Sequence, residues 1–201
     1  VSSDNGKGDA AVIAVGGEFF EFHPLRLISG SYITQRDLMK DRVLLDEDLA
    51  WLLYGGTDIA GLSMKINGVP YMIAGVVERE QDRFSSSAYS SGRGLYMSYD
   101  GYAQLFEDAG ISCYEVALAN PVKGFALGVV KGAFPIGRGE IVENSRRFEF
   151  GRLLSIAKQF GSRSMQTTGV IYPYWENAAR SVEDWCALLA FAALLCGALP
   201  A

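Results

Sequence analysis

The clearest pattern of hydrophobic and polar positions runs from residue 42 to residue 56. The stretch RVLL predicts a strand at 42–45, and a helix follows with Asp46 as its N-cap and Gly55 at its end. Acidic residues after Asp46 suit the positive end of the helix dipole. The helix carries an apolar stripe at positions i, i+3 and i+4, formed by Leu49, Leu52 and Leu53.

A second pattern predicts a β-hairpin. Two runs of strand-like residues, LSMKI before the turn and VPYMIAGVV after it, flank the pair Asn67-Gly68. This pair is favoured in type I′ turns, because both of its residues tolerate a positive φ. Pro70 places the start of the returning strand at a sheet edge.

The remaining segments alternate between strand and helix. The polar, Ser- and Gly-rich run after Val77 predicts a mobile loop or a crossing between subdomains. Because a hairpin interrupts the alternation, the class predicted is α+β. The other expected features are a strand near 12–15, a turn at Ser29-Gly30, a strand and helix over 95–109, a strand at 111–118 followed by a helix opened by Asn120 and Pro121, a strand at 139–144, and a helix over 147–160.

The last 17 residues, 185–201, contain no charge. As a helix they would reach about 26 Å, a little less than a hydrocarbon core of about 30 Å. They predict the start of a transmembrane helix that the fragment truncates; a buried C-terminal core helix is the alternative. Aromatic residues upstream suit a membrane–water boundary: Tyr172, Tyr174, Trp175 and Trp185.

Composition narrows the classes of function. The chain has 201 residues, with 23 acidic and 18 basic side chains and a formal net charge of −5, so nucleic acid is not an expected partner. The three cysteines, Cys113, Cys186 and Cys196, form neither a disulfide framework nor a zinc motif. The first residues carry no signal-peptide pattern and no initiator Met, which indicates a piece of a longer protein.

Candidate catalytic groups are few. His23, the one histidine, is interpreted as packed beside a turn, and Cys113 as a buried thiol in a strand. Asp46, Glu47 and Asp48 are interpreted as helix-start acids and lack the spacing of a calcium loop. The sequence therefore predicts no catalytic, cofactor-binding or metal-binding residue, and no cofactor.

Three stretches carry a resemblance to a known family: GGEFFEFHPLRLISGSYI, DRVLLDEDLAWLLYGGTDIAGLSMKINGVPYMIAGVV and LYMSYDGYAQLF, with an apolar helix at the end. Together they resemble the MacB-like periplasmic core domain of ABC transporter permeases (the FtsX/MacB-like permease family). The matching positions are Phe19, Phe20, Leu27, Gly30, Tyr32, Asp37, Leu49, Ala50, Leu53, Tyr54, Gly55, Gly61, Asn67, Gly68, Pro70, Gly75 and Val76. These positions shape a fold and say little about substrate.

The resemblance implies an extracytoplasmic core domain at 1–184, with two α/β subdomains, followed by the start of a transmembrane helix at 185–201. Within the core it implies a hairpin-containing subdomain at about 11–80, a porter-like part at 95–144 and a pre-membrane helical segment at 145–184. Implied partners are a cytoplasmic nucleotide-binding ATPase subunit, a second permease subunit, the membrane and an outer or extracellular protein. The expected function is coupling of ATP hydrolysis to export or to mechanical signalling. The segment Tyr172–Trp185 would act as the coupling lever, and Ser85–Gly94 as a flexible contact surface.

Three alternatives remain at this point. A relative in the same setting would move no substrate and would instead regulate or sense an extracellular partner. From a different class, a membrane-anchored extracellular hydrolase would use His23 as its base. An adhesion module would show no coupling to ATP.

Overall fold

The computed structural model describes residues 1–37, 39–89, 93–107, 109–134, 139–163, 165 and 169–198. The chain divides into two compact units. Unit 1 comprises Val1–Gln81 with Ser90–Gly110, and unit 2 comprises Asp82–Tyr89 with Ile111–Ala201. The chain therefore crosses from unit 1 to unit 2 and back before its final passage into unit 2.

The described residues form six strands and seven α-helices. The strands are β1 (Ala11–Val15), β2 (Leu27–Gly30), β3 (Arg42–Asp46), β4 (Ser63–Ile66), β5 (Val69–Val77) and β6 (Gly94–Ser98). The helices are α1 (Phe19–Phe22), α2 (Glu47–Tyr54), α3 (Arg83–Ala88), α4 (Tyr99–Leu105), α5 (Phe125–Ala133), α6 (Phe150–Ile156) and α7 (Tyr174–Ala198). Single 3₁₀ turns lie at Asn144–Arg146 and Ala157–Gln159.

All six strands form one mixed sheet in unit 1. Its order is β1-β6-β3-β5-β2, and β4 pairs with the first part of β5. The pairs β1–β6 and β3–β5 are parallel, whereas the others are antiparallel. A mixed sheet with helices agrees with the predicted α+β class.

The core of unit 1 lies on both faces of the central strand β3. Val43 and Leu45 pack with the apolar side of α2, while Leu44 packs with the side of the sheet covered by Phe19 and Phe20 of α1. Because successive side chains of a strand point to opposite faces, three consecutive apolar residues of β3 are fully buried.

The two clearest sequence predictions are confirmed. Asp46 caps α2 by accepting a hydrogen bond from the Leu49 backbone N–H at 2.7 Å, and Gly55 ends the helix with a φ of 72°. In the hairpin turn Asn67 has a φ of 49° and Gly68 a φ of 86°, as a type I′ turn requires.

Other predictions differ from the structure. The expected turn at Ser29-Gly30 lies at the end of β2, which pairs with β5. The first residues of the predicted Ser85–Gly94 loop belong to helix α3, which Asp82 caps by accepting hydrogen bonds from the backbone N–H groups of Phe84 and Ser85. Residues 90–92 of this loop lie outside the described part. The strands expected at 111–118 and 139–144 are not strands, and Cys113 is exposed. Asn120 still accepts a hydrogen bond from a helical N–H, that of Ala126, but α5 begins only at Phe125.

Asp46 holds together three parts of unit 1. One carboxylate oxygen caps α2, the other accepts a hydrogen bond from the Gly94 backbone N–H where β6 begins, and the Arg79 guanidinium lies 4.0 Å away. Burial raises the pKa of Asp46 above its ordinary value, against the opposing hydrogen bonds from Leu49 and Gly94. The carboxylate is thus a structural group whose ionisation depends on the fold.

We expect Asp46→Ala to lower the free energy of unfolding of unit 1 by about 2 kcal/mol, because it removes a helix cap and leaves the Gly94 N–H without its acceptor. Asp46→Asn keeps an oxygen for Leu49 but does not titrate. Since the folded state binds the Asp46 proton more tightly than the unfolded state, the stability of the wild type relative to Asp46→Asn should fall as the pH rises from about 4 through the raised pKa. Urea unfolding at several pH values measures this; a relative stability that rises over that range would contradict it.

Candidate functional site

Buried charges gather on the first half of α7. Glu183 is fully buried, and its carboxylate accepts hydrogen bonds from the guanidinium groups of Arg147 at 3.2 Å and Arg163 at 3.0 Å. Arg152 lies 3.6 Å from the other carboxylate oxygen. Glu183 therefore lies between three arginines that come from the segments before and after α6 and from α6 itself.

Two further carboxylates of α7 extend this arrangement. Glu176 contacts Arg147 at 2.5 Å and Arg180 at 2.8 Å. Asp184 accepts hydrogen bonds from Arg163 at 3.2 Å and from the Gly161 backbone N–H at 3.0 Å. We call the six central side chains the α7 charge cluster: Arg147, Arg163, Arg180, Glu176, Glu183 and Asp184. Three positive charges balance three negative ones.

The α7 charge cluster fixes one arrangement of unit 2. A buried ion pair gains little net stability over a hydrophobic contact, but removal of one partner leaves an uncompensated charge and costs about 3–5 kcal/mol. Because Arg147 reaches both Glu176 and Glu183, any slide of α7 would break several charge-assisted hydrogen bonds together. The cluster thus holds α7 at one position against the segments that contain Arg147 and Arg163.

Arg180 and Tyr172 form the edge of the cluster. The Arg180 guanidinium lies 3.7 Å from the centre of the Tyr172 ring, and the Tyr172 hydroxyl donates a hydrogen bond to Glu140. Burial opposes the charge of Arg180, but hydrogen bonding and attraction from Glu176 outweigh it and raise its pKa. Burial, together with the hydrogen bond to Glu140, raises the pKa of Tyr172. Both groups therefore keep their ordinary charge state at neutral pH.

The predicted lever, Tyr172–Trp185, is helical from Tyr174 onward, and α7 continues without a break to Ala198. Its aromatic residues make ring contacts within unit 2, while Trp185 still exposes 42% of its surface. Tyr174 is buried and stacks on Tyr89 of unit 2 at a centroid distance of 4.0 Å, and Trp185 packs edge-on against Phe160 at 5.3 Å. Stacking of this kind adds to the stability gained by burial.

The second half of α7 is apolar and exposed. Leu189, Phe191, Leu194 and Leu195 expose between 47% and 67% of their surface. Within the part of the chain that the structure describes, none of the helices combines the length and the hydropathy that a membrane crossing requires. The predicted transmembrane start is therefore unconfirmed, and its last three residues, 199–201, lie outside the described residues.

The side chains considered for catalysis are dispersed. His23 follows α1, and its ring packs 4.8 Å from that of Phe19, in line with its interpretation as a packed side chain. Cys113 is exposed in an irregular segment and not buried in a strand as predicted, and partial desolvation of its thiol raises its pKa to about 11. Asp46 is engaged by backbone N–H groups. Among the described residues, no group of three or more His, Cys, Asp and Glu side chains is placed to hold a metal ion.

The α7 charge cluster can therefore act as a clamp. Its central carboxylates all pair with arginines, so they are poorly suited to transfer protons or to bind a cation.

Sequence reasoning did not predict this cluster. Two signals were present: the i, i+4 pair Glu176 and Arg180, and the adjacent acids Glu183 and Asp184 directly before an uncharged run.

Solved structures similar to this chain include two domains of ABC-type transporters. One is the periplasmic region of MacB from Actinobacillus actinomycetemcomitans, with 19% identity and a TM-score of 0.46, covering 65% of this chain and 57% of that one. The other is the extracellular domain of the noncanonic ABC-type transporter YknZ from Gram-positive bacteria, with 16% identity and a TM-score of 0.41, covering 51% of this chain and 50% of that one. The chain thus spans 50–57% of the length of these structures.

None of the curated proteins matches this chain. A family model described as the MacB-like periplasmic core domain matches residues 1–127, which include the whole mixed sheet, the Asp46-capped helix and the Asn67-Gly68 hairpin. The match covers more than half of the 201 residues. The chain belongs to the family of MacB-like periplasmic core domains.

Proposed function

We propose that this chain is the extracytoplasmic part of an ABC transporter permease subunit, in which α7 couples movement of the membrane-embedded part to the outer domain. Family membership supports the setting. The coupling could serve export or mechanical signalling to an outer partner. In this proposal residues 1–184 lie outside the cytoplasm, residues 185–201 begin a transmembrane helix, and the domain itself carries out no catalysis.

One observation carries the coupling role: the two halves of α7 have opposite character on a single continuous helix. The first half is clamped by the α7 charge cluster, whereas the second half exposes apolar side chains. A helix of 25 residues is about 37 Å long. Displacement of its apolar end would therefore be delivered to the clamped end rather than absorbed in a loop.

The proposal also includes partners. A cytoplasmic nucleotide-binding ATPase subunit would supply the movement, a second permease subunit would complete the membrane assembly, and an outer or extracellular protein would receive the force. The assignment of 95–144 as a porter-like part, and of about 11–80 as a hairpin-containing subdomain, remains a prediction from the resemblance.

The first test is purification of the tagged protein from its native membranes, followed by identification of what accompanies it. We expect a nucleotide-binding ATPase to be recovered. On that complex, a non-hydrolysable ATP analogue with Mg²⁺ should change hydrogen exchange in unit 2. Ala192→Pro breaks the exposed half of α7 beyond its last buried residue, Ala187, and should abolish this change.

Ala192→Leu is the matched control, because it keeps the helix and the apolar character at the same exposed position. It should respond to the nucleotide as the wild type does. An unchanged response in Ala192→Pro would overturn the lever. Recovery of the protein without any ATPase would overturn the transporter setting and favour the anchored-enzyme or adhesion alternatives.

A further inference from the structure

Helix α3 packs along the first half of α7 although its neighbours in sequence belong to the sheet of unit 1. Tyr89, directly after α3, stacks on Tyr174 with the rings at 20°, and at the other end the Arg83 guanidinium lies 5.4 Å from the centre of the Trp185 ring. Tyr174 and Trp185 are 11 positions apart on α7, or about 16 Å. The segment therefore runs antiparallel to α7 and contacts it at both ends.

Helix α3 is short, and Ala88 is its one buried residue. Three consecutive serines precede the buried Ala88, and Asp82 caps the helix. A helix of six residues is too short to be stable alone, because nucleation is costly. The fold of α3 must therefore depend on α7, and α3 should follow α7 when that helix moves. We call residues 82–89 the α3 clasp.

The α3 clasp is joined to the sheet by a short connection. The Glu78 backbone N–H donates to Arg26, and the Arg79 guanidinium lies 4.0 Å from the Asp46 carboxylate, so the chain is held to unit 1 up to residue 79. From Arg79 to Asp82 the chain spans at most about 11 Å. A displacement of the clasp beyond this reach would therefore have to move Arg79.

The chain returns to unit 1 at the same carboxylate. Gly94, the first residue of β6, donates its N–H to Asp46, which also caps α2 through Leu49. The chain thus leaves unit 1 just after Arg79 and re-enters it near Gly94, and both of these residues contact the Asp46 carboxylate. A pull on the clasp would act on the group that holds the start of β6 and the start of α2.

We propose that the α3 clasp carries displacement of α7 to the Asp46 carboxylate and so to the N terminus of α2. This inference rests on the proposed function, since it assigns the route by which the lever acts on unit 1. It makes Tyr89 and Arg83 positioning residues for the coupling. It also assigns a role in coupling to the segment between β5 and β6, which contains the α3 clasp.

The test uses hydrogen exchange of the purified complex with and without the non-hydrolysable ATP analogue. In the wild type we expect a nucleotide-dependent change in unit 2 and a second change at the first amides of α2, including that of Leu49. Tyr89→Ala and Arg83→Gln should each reduce the α2 change at least threefold while leaving the response of α7 intact. Tyr89→Phe keeps the stacked ring and should behave as the wild type.

Ser86→Ala, at an exposed position of the same helix, is the control for substitution within α3. Arg83 is also exposed, so Arg83→Gln tests the route where Tyr89→Ala affects folding. A full α2 response in Arg83→Gln or in a folded Tyr89→Ala would overturn the clasp while leaving the lever in place. An absent α7 response in the wild type would instead overturn the proposed function and the clasp with it.

Discussion

Glu183→Gln is expected to lower the free energy of unfolding of unit 2 by about 3–5 kcal/mol. The side chain is fully buried, and its carboxylate meets Arg147, Arg163 and Arg152. Glutamine has nearly the same shape, so the loss would come from the missing negative charge. Among the described carboxylates, the almost fully buried Arg147 would keep that of Glu176 alone as an ion-pair partner.

The measurement is urea unfolding followed by tryptophan fluorescence. Trp51 lies in unit 1 on an exposed position, whereas Trp175 and Trp185 lie in unit 2, so Trp51→Phe provides a background that reports on unit 2. The loss should persist in concentrated salt, because buried charges are weakly screened.

Glu149→Gln is the matched control. Glu149 also pairs with an arginine, Arg146, at 2.5 Å, but both side chains are substantially exposed. Exposed pairs of this kind contribute little, so unfolding should be unchanged within error. A similar, small effect in both variants would show that the α7 charge cluster does not hold unit 2 together.

Local features of the fold were predictable from sequence. The cap at Asp46, the end at Gly55 and the Asn67-Gly68 turn each depend on residues within four positions of one another. By contrast, the strands expected at 111–118 and 139–144 had a suitable pattern but are not paired in the described residues. Strand propensity depends on pairing and packing with a neighbour, which the local pattern does not contain.

The α7 charge cluster was not predictable for a similar reason. Arg147 and Glu183 are 36 positions apart, and nothing near either residue specifies the other as its partner. The short α3 was missed because its serines favour loops as well as helix starts. Its contacts with Tyr174 and Trp185, which lie 85 and 102 positions after their partners Tyr89 and Arg83, stabilise it as a helix.

The second large effect is expected at Gly30. Gly30 pairs with Gly75 across β2 and β5, and its φ is 76°. A Cβ at Gly30 would lie 2.1 Å from the Ala74 carbonyl oxygen and 2.6 Å from the Cα of Gly75. Because these are backbone atoms, rotation of a side chain cannot relieve the contact, and the strand would have to move. We expect Gly30→Ala to lower the free energy of unfolding of unit 1 by about 3–4 kcal/mol, through overpacking and the cost of a positive φ.

Gly56→Ala is the control for the Gly30 prediction, since a Cβ there would meet no atom within 4 Å. It should be neutral or slightly stabilising, because alanine restricts the unfolded chain. Unfolding of unit 1 is followed through Trp51 in a background that carries Trp175→Phe and Trp185→Phe. If Gly30→Ala were as stable as Gly56→Ala, β2 and β5 would have to lie farther apart than the structure places them.

Gly75→Ala is an independent test of the same contact, because its Cβ would lie 2.5 Å from the Ser29 carbonyl oxygen. Both glycines are also positions of the family pattern, so a shared loss would identify this close approach of two strands as the physical reason for glycine at those positions.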